Sequence, residues 1–290
     1  MRHAINIPLF WEYADPARVV RLAVTAERAG WDGFFVCDHL VADFGAGMPV
    51  GDAQLTLAAV AMATERVLLG PVVTPLARRR PWKVARETVA LDLLSGGRTV
   101  FGVGLGYPAA TEFGQFGEEC DDRVRAARLD EGLDVLAGLW TGEEFSYAGA
   151  QHRLEPTVFR PVPRRRIPVW VAGVWPRLAP FRRAARWDGV VPLGEGLSYD
   201  EMLSPDQLRE VVAFVTEQRE DAGPFDVVHW GVTPEDDLAG NAALVKEYAA
   251  AGATWWMETL APGNYGWDGA GPWPFEAMDE RVRRGPARWS

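Results

Sequence analysis

Apolar and polar positions alternate between two periods along most of the chain. Short runs such as 5–10 (INIPLF), 33–37 (GFFVC), 66–74 (RVLLGPVVT) and 98–104 (RTVFGVG) are apolar nearly throughout. Such runs read as strands buried on both faces. Between them lie segments with helical spacing. In 15–30, Val19, Leu22, Ala23 and Ala26 share one face, Asp15 and Pro16 suit the start, and Gly30 suits the stop. Helices are predicted in the same way over 53–65, 80–95 and 121–140, the last with Leu129, Leu133, Leu136 and Trp140 on one stripe. The segment 141–166 breaks the rhythm and reads as a hairpin with a proline-rich connector. The alternation then resumes: strands 167–173, 188–193, 224–231 and 253–260, helices 177–187, 204–221 and 234–252.

Eight strands, each followed by a helix, predict a single (β/α)₈ TIM barrel over 1–290, with 141–166 inserted between helix 4 and strand 5 and 261–290 as a C-terminal tail. The echo of "AERAGWDGFFV" (26–36) in "RRAARWDGVVP" (182–192) supports repeated units. The rival, an open doubly wound sheet, lacks its Gly-x-Gly-x-x-Gly after strand 1.

Composition narrows the function. The net charge is −10, which disfavours nucleic acid and anionic lipid as partners. Only Lys83 and Lys246 are lysines; the basic runs 77–81 and 164–166 are read as solvated faces. No apolar run approaches the roughly 18 residues of a membrane span, and the N-terminus reads as a mature start. Two cysteines, Cys37 and Cys120, cannot form a disulfide framework, so a reducing cytoplasm is expected.

In a (β/α)₈ barrel the chemistry gathers where strands end. Those points here are apolar, aromatic and glycine-rich. His39 and His229 are isolated, so no metal site is expected, and no Gly-x-Ser-x-Gly turn marks a nucleophile. Such a rim suits a flat conjugated ring held between apolar walls with one polar group near the reacting atom. His39, after strand 2, is the acid–base candidate; taken alone, a structural histidine is an equal reading. Cys37 reads as packing and the Trp-Asp-Gly turns as stability.

"CDHL" after strand 2, the block 64–117 with "LDLLSGGRTVFGVG", "RIPVWVAG" and the closing "RVRRGP" resemble luciferase-like oxidoreductases over nearly the whole chain. The resemblance implies a cytoplasmic enzyme, a homodimer, that uses FMN or the deazaflavin coenzyme F420 for hydride or oxygen chemistry on a small organic substrate. It also implies roles: His39 as the acid–base group, with Asp38 placing it and contacting the cofactor. Thr74, Gly104 and Gly106 would face the cofactor ring. Ala172, Gly173, Val174 and Trp175 would reach its phosphate arm, with Arg177 supplying an anion contact. The segments 40–52, 107–119 and 261–273 would wall the substrate, with Phe44, Tyr107, Trp267 and Trp273 in contact. Sugar-phosphate dehydrogenases of that family carry a glutamate where Tyr107 stands, a departure that counts against that activity. A flavin-binding protein without turnover is the alternative.

Overall fold

Strands with large apolar side chains on both faces need cover on both sides, and a ring of parallel strands inside a ring of helices supplies it. The structure, a computed structural model, describes residues 1–42, 47–196, 201–233, 238–269 and 271–288. Its elements run β1 (Arg2–Ile7), α1 (Pro16–Arg28), β2 (Gly33–Val36), α2 (Ala53–Ala63), β3 (Leu68–Pro71), β4 (Thr74–Pro75), α3 (Pro81–Ser95) and β5 (Phe101–Gly104). A short α4 (Ala109–Glu112) and long α5 (Asp122–Trp140) follow, then β6 (Glu144–Ala148), β7 (Arg153–Val158), β8 (Val169–Trp175), α6 (Leu178–Ala184) and β9 (Gly189–Gly194). The chain closes with α7 (Pro205–Gln218), β10 (Asp226–Gly231), α8 (Leu238–Ala250), β11 (Trp255–Thr259) and α9 (Phe275–Arg283).

The parallel order is β3-β2-β1-β11-β10-β9-β8-β5-β4. A bridge between Leu69 and Thr99 joins β3 to the start of β5, so the sheet closes. β3 and β4 are two pieces of one barrel strand, interrupted at Val72–Val73, whose peptide bond is cis. The predicted strand 66–74 is therefore split. At the crossing, a Cβ on Gly70 would stand 1.8 Å from the Val100 carbonyl oxygen, so only glycine lets the two backbones meet. The first strand also differs from expectation: it starts at Arg2, which pairs with Trp255, and stops before Pro8, which has no N–H for a ladder. β6 and β7 form an antiparallel hairpin between α5 and β8.

Side-chain alternation sends Ala4, Phe35, Val72, Val100, Trp170, Val191, Val228, Trp255 and Met257 into the barrel. Trp170 packs 5.1 Å from Phe35 and 5.3 Å from Trp255, ring centre to ring centre, and Arg2 lies over Trp255. These indoles fill the N-terminal half of the barrel. The Trp-Asp-Gly turns stand at the closed end. Asp32 accepts from the His3 amide at 2.8 Å and Asp188 from the Val169 amide at 2.8 Å, so each tethers a turn to the start of a neighbouring strand. No helix among the described residues is long and apolar enough to cross a membrane.

Candidate active site

β2 ends at Val36, and alternation then turns Cys37 and His39 toward the lumen while Asp38 points outward. Asp38 is 4% exposed and its carboxylate is fully engaged. It accepts from Thr74 Oγ1 at 2.8 Å, from Arg79 Nη2 at 2.9 and 2.8 Å, and from Arg78 Nη2 at 3.4 Å. Asp38 thus ties the exit of β2 to β4 and the turn before α3. Thr74 is fully buried and gives its hydroxyl proton to Asp38.

The partner of the His39 ring is Glu112, which was not singled out in the sequence. Nδ1 of His39 lies 2.9 Å from Glu112 Oε1. The other carboxylate oxygen accepts from the Leu40 amide at 3.2 Å and from Arg78 Nη1. Arg78 also donates to the Asp38 carbonyl at 2.9 Å. Arg78 therefore joins the two carboxylates, and its side chain is 3% exposed. The run 77–81, read as a solvated face, is corrected here: Arg78 is buried and Arg79 mostly so because each neutralises a buried carboxylate. The signal for Glu112 was its chemistry, a single acid on α4 amid small and aromatic residues at the C-terminal rim.

Electrostatics follow from this cage. Burial pushes the His39 imidazole down, but hydrogen bonding and charge from Cys37 and Glu112 outweigh it and raise it to about 9. Burial pushes Glu112 up, yet the His39 bond, the His39 and Arg78 charges and the Leu40 amide bring it below the ordinary carboxylate range. The pair at neutral pH is a carboxylate and an imidazolium. Phe10 covers His39 at 5.3 Å between ring centres, and Trp273 stands against Phe10 at 6.1 Å. His39 keeps a 23% exposed side chain. A resident proton at a partly open rim, held by an anchored anion, is an arrangement for giving or taking a proton.

His229 is different. It is 1% exposed, stacks on Tyr248 at 4.0 Å, and burial pushes it down to about 3; it is a neutral packing group.

The remaining expected residues separate. Gly104 is buried, and a Cβ there would meet Val73 Cγ2 at 2.8 Å; Gly106 turns with φ 82° and borders Pro75 and Phe113. Ala172 faces the lumen beside Val73 and Trp230. Alternation puts Val174 on the same side. Gly173 faces outward, where a Cβ would press on Pro180 at 2.5 Å. Trp175 also turns outward: it packs on Phe181 at 5.2 Å and donates to Glu210 at 3.2 Å. Arg177 is 62% exposed and paired with Glu195 at 2.7 Å. Tyr107 is 75% exposed. Trp273 is buried, Trp267 is half-buried 6.3 Å from it, and Phe44 lies outside the described residues. Among the described residues no three His, Cys, Asp or Glu side chains gather as a metal site would need.

Residues 10–229 match the model of the luciferase-like monooxygenase family. The chain belongs to that family. Curated relatives include the F420-dependent glucose-6-phosphate dehydrogenase of Gordonia bronchialis, 33% identical over 67% of this chain and 58% of the relative. The enzyme of the same description from Mycolicibacterium fortuitum is 31% identical over 79% of this chain and 68% of the relative. The match thus spans well under two thirds of the Gordonia bronchialis protein. Among solved structures, an F420-dependent secondary alcohol dehydrogenase with an F420-acetone adduct superposes with TM-score 0.77 at 17% identity, covering 100% of this chain and 99% of that one. The FMN-bound oxygenating component of 3,6-diketocamphane monooxygenase from Pseudomonas putida gives TM-score 0.60 at 19% identity, over 85% of this chain and 71% of that one. At these identities the two structures speak for the luciferase-like fold alone.

Proposed function

We propose that this luciferase-like protein is an oxidoreductase that uses FMN or coenzyme F420 to carry out hydride transfer or monooxygenation on a small organic molecule. The observation that carries the reading is the His39–Glu112 pair at the lumen rim, 2.9 Å apart and anchored by Arg78. Family membership and the F420-dependent relatives support it. The rim fits such a cofactor in one respect that the residues themselves provide: Val73, Ala172 and Trp230 form a partly open apolar wall against which a flat ring can lie. When bound, the cofactor supplies the hydride or activates oxygen. The protein's own part is to hold a proton on His39, to keep Glu112 ionised behind it, and to exclude water with Phe10 and the tail around Trp273. Of the expected arm contacts, this reading keeps Ala172 and Val174, whose side chains turn to the lumen, and keeps Arg177 as the anion contact; Gly173 and Trp175 would contribute backbone groups only, since their side-chain positions turn outward.

Separate titrations with FMN and F420, followed by visible absorbance, test the reading. One of the two is expected to bind with a changed spectrum and to cycle between oxidised and reduced forms. Binding of neither overturns it; a bound cofactor that never cycles favours the carrier reading.

A second copy of the chain is the proposed partner. α2 (AQLTLAAVAMA) is apolar on almost every side, and its outer face leaves Leu55 at 72% and Met62 at 69% exposed. Leu93 and Leu94 on the adjoining α3 extend that face. A helix apolar on both faces asks for cover on both. Two free cysteines, one buried and one exposed, fit a reducing cytoplasm, and the acidic charge fits a partner other than nucleic acid.

A further inference from the structure

The barrel mouth has two unlike halves. The wall from β4 to β10 offers Val73, Ala172 and Trp230. The opposite arc, on the adjacent strands β11, β1 and β2, offers Thr259, Asn6 and Cys37. The register places Thr259 beside Asn6, one layer above the interior pair Met257 and Ala4, so both side chains face the lumen.

Both are buried and short of partners. Asn6 is 2% exposed, and among the described residues its side-chain amide meets only the Cys37 sulfur, with Nδ2 at 3.6 Å and Oδ1 at 3.9 Å. Sulfur is a weak donor and a weak acceptor. Thr259 is 6% exposed and its hydroxyl has no partner among the described residues. A buried hydroxyl left unsatisfied costs stability, and folded proteins keep few of them without a reason. Valine would fill the same space without that cost.

We propose that Thr259 and Asn6 form a hydrogen-bonding subsite at the floor of the mouth for an uncharged carbonyl- or amide-bearing ligand edge. The chemistry of the pair sets the class. A hydroxyl and a carboxamide both donate and accept, which matches a ketone oxygen or an imide edge. Neither carries charge, and a desolvated phosphate or carboxylate at this depth would need a cation. Arg78 and Arg79 are spent on Asp38 and Glu112, and Arg281 on Glu258, the residue before Thr259. His39 stands above, at the rim. The inference rests on reading the mouth as the cofactor and substrate site, and it separates this chain from an enzyme that would place a sugar phosphate at that depth.

Two sources could bring such an edge: a ketone substrate, or the imide edge of the cofactor ring. The test uses the full chain with Thr259→Val and Thr259→Ser. Cyclohexanone, with methylenecyclohexane as its apolar counterpart, is titrated by calorimetry, and FMN and F420 by absorbance. The wild type is expected to prefer cyclohexanone to methylenecyclohexane. Thr259→Val is expected to weaken either cyclohexanone or the cofactor about five- to tenfold, which identifies the source, while Thr259→Ser retains binding. The melting temperature of ligand-free Thr259→Val is expected to stay level or rise. Unchanged binding of both ligands by Thr259→Val overturns the proposal. So does a lower melting temperature with unchanged binding, which would make the hydroxyl a structural group. Should the wild type bind neither FMN nor F420, the proposed function fails, while the ketone arm still decides this subsite.

Discussion

Glu112→Gln tests the central pair through stability, without any assumption about substrate. His39 is raised from 6.5 to about 9 in the folded protein. The sign follows from proton counting. Between those two values the folded state holds a proton that the unfolded state has released, so stability falls as pH rises. The contribution is complete below about pH 6.5 and gone above about pH 9. A shift of this size amounts to about 3 kcal/mol at roughly 1.4 kcal/mol per pH unit. His3 and His229, lowered to about 4 and about 3, act only on the acid side of 6.5, so they leave this window clear. Urea melts of the wild type from pH 6 to 10 should lose about 3 kcal/mol. Glu112→Gln should be less stable at pH 6 and lose less over the same range, because glutamine keeps the hydrogen-bonding shape but supplies no charge to hold the imidazolium, while the contribution of Cys37 remains. The ring proton seen by nitrogen NMR should titrate near 9 in the wild type and lower in the variant, since the Glu112 contribution is removed while that of Cys37 remains. A wild type whose stability is level from pH 6.5 to 9.5, or a variant with the same slope, would refute the argument.

Other consequences are as direct. Below pH 6.5 the sign reverses: His3 and His229 must be discharged to fold, so stability should drop on acidification, and His229→Phe should reduce that drop in acid melts. Arg98 is 9% exposed and donates to the carbonyls of Ala61, Thr64, Val67 and Ser95. Arg98→Met should therefore cost about 3–5 kcal/mol in urea melts. Gly70→Ala should fail to give a native near-ultraviolet spectrum, because its Cβ has only the Val100 carbonyl oxygen to move into. Met62→Glu should convert a dimer to a monomer in sedimentation with the fold intact, because Met62 is 69% exposed and touches the core little.

The barrel was legible because its signal is local: each strand and helix shows its period within a dozen residues, and eight repeats leave few other topologies. His39 was legible for the same reason, as a titratable group at a strand end. Its partner was not. Glu112 follows His39 by 73 positions, on a four-residue helix too short to show a period, and only closure of the ring brings β2 and the segment after β5 to one rim. The same long-range closure misled the reading of 77–81. A run of three arginines looks solvated in one dimension, yet Arg78 is enclosed because Asp38 and Glu112 arrive from elsewhere in the chain. At the ends of β4 and β8 the face that each residue presents was not legible. Thr74, Gly173 and Trp175 stand at the expected strand ends, but the two-residue alternation that sends Ala172 inward must send its neighbours out. A break such as the one at Val72–Val73 resets that alternation, and sequence spacing alone does not reveal where the reset falls. Thr259 and Asn6 illustrate the converse: each looks unremarkable in its own strand, and only their register across β1 and β11 turns two ordinary polar residues into one floor.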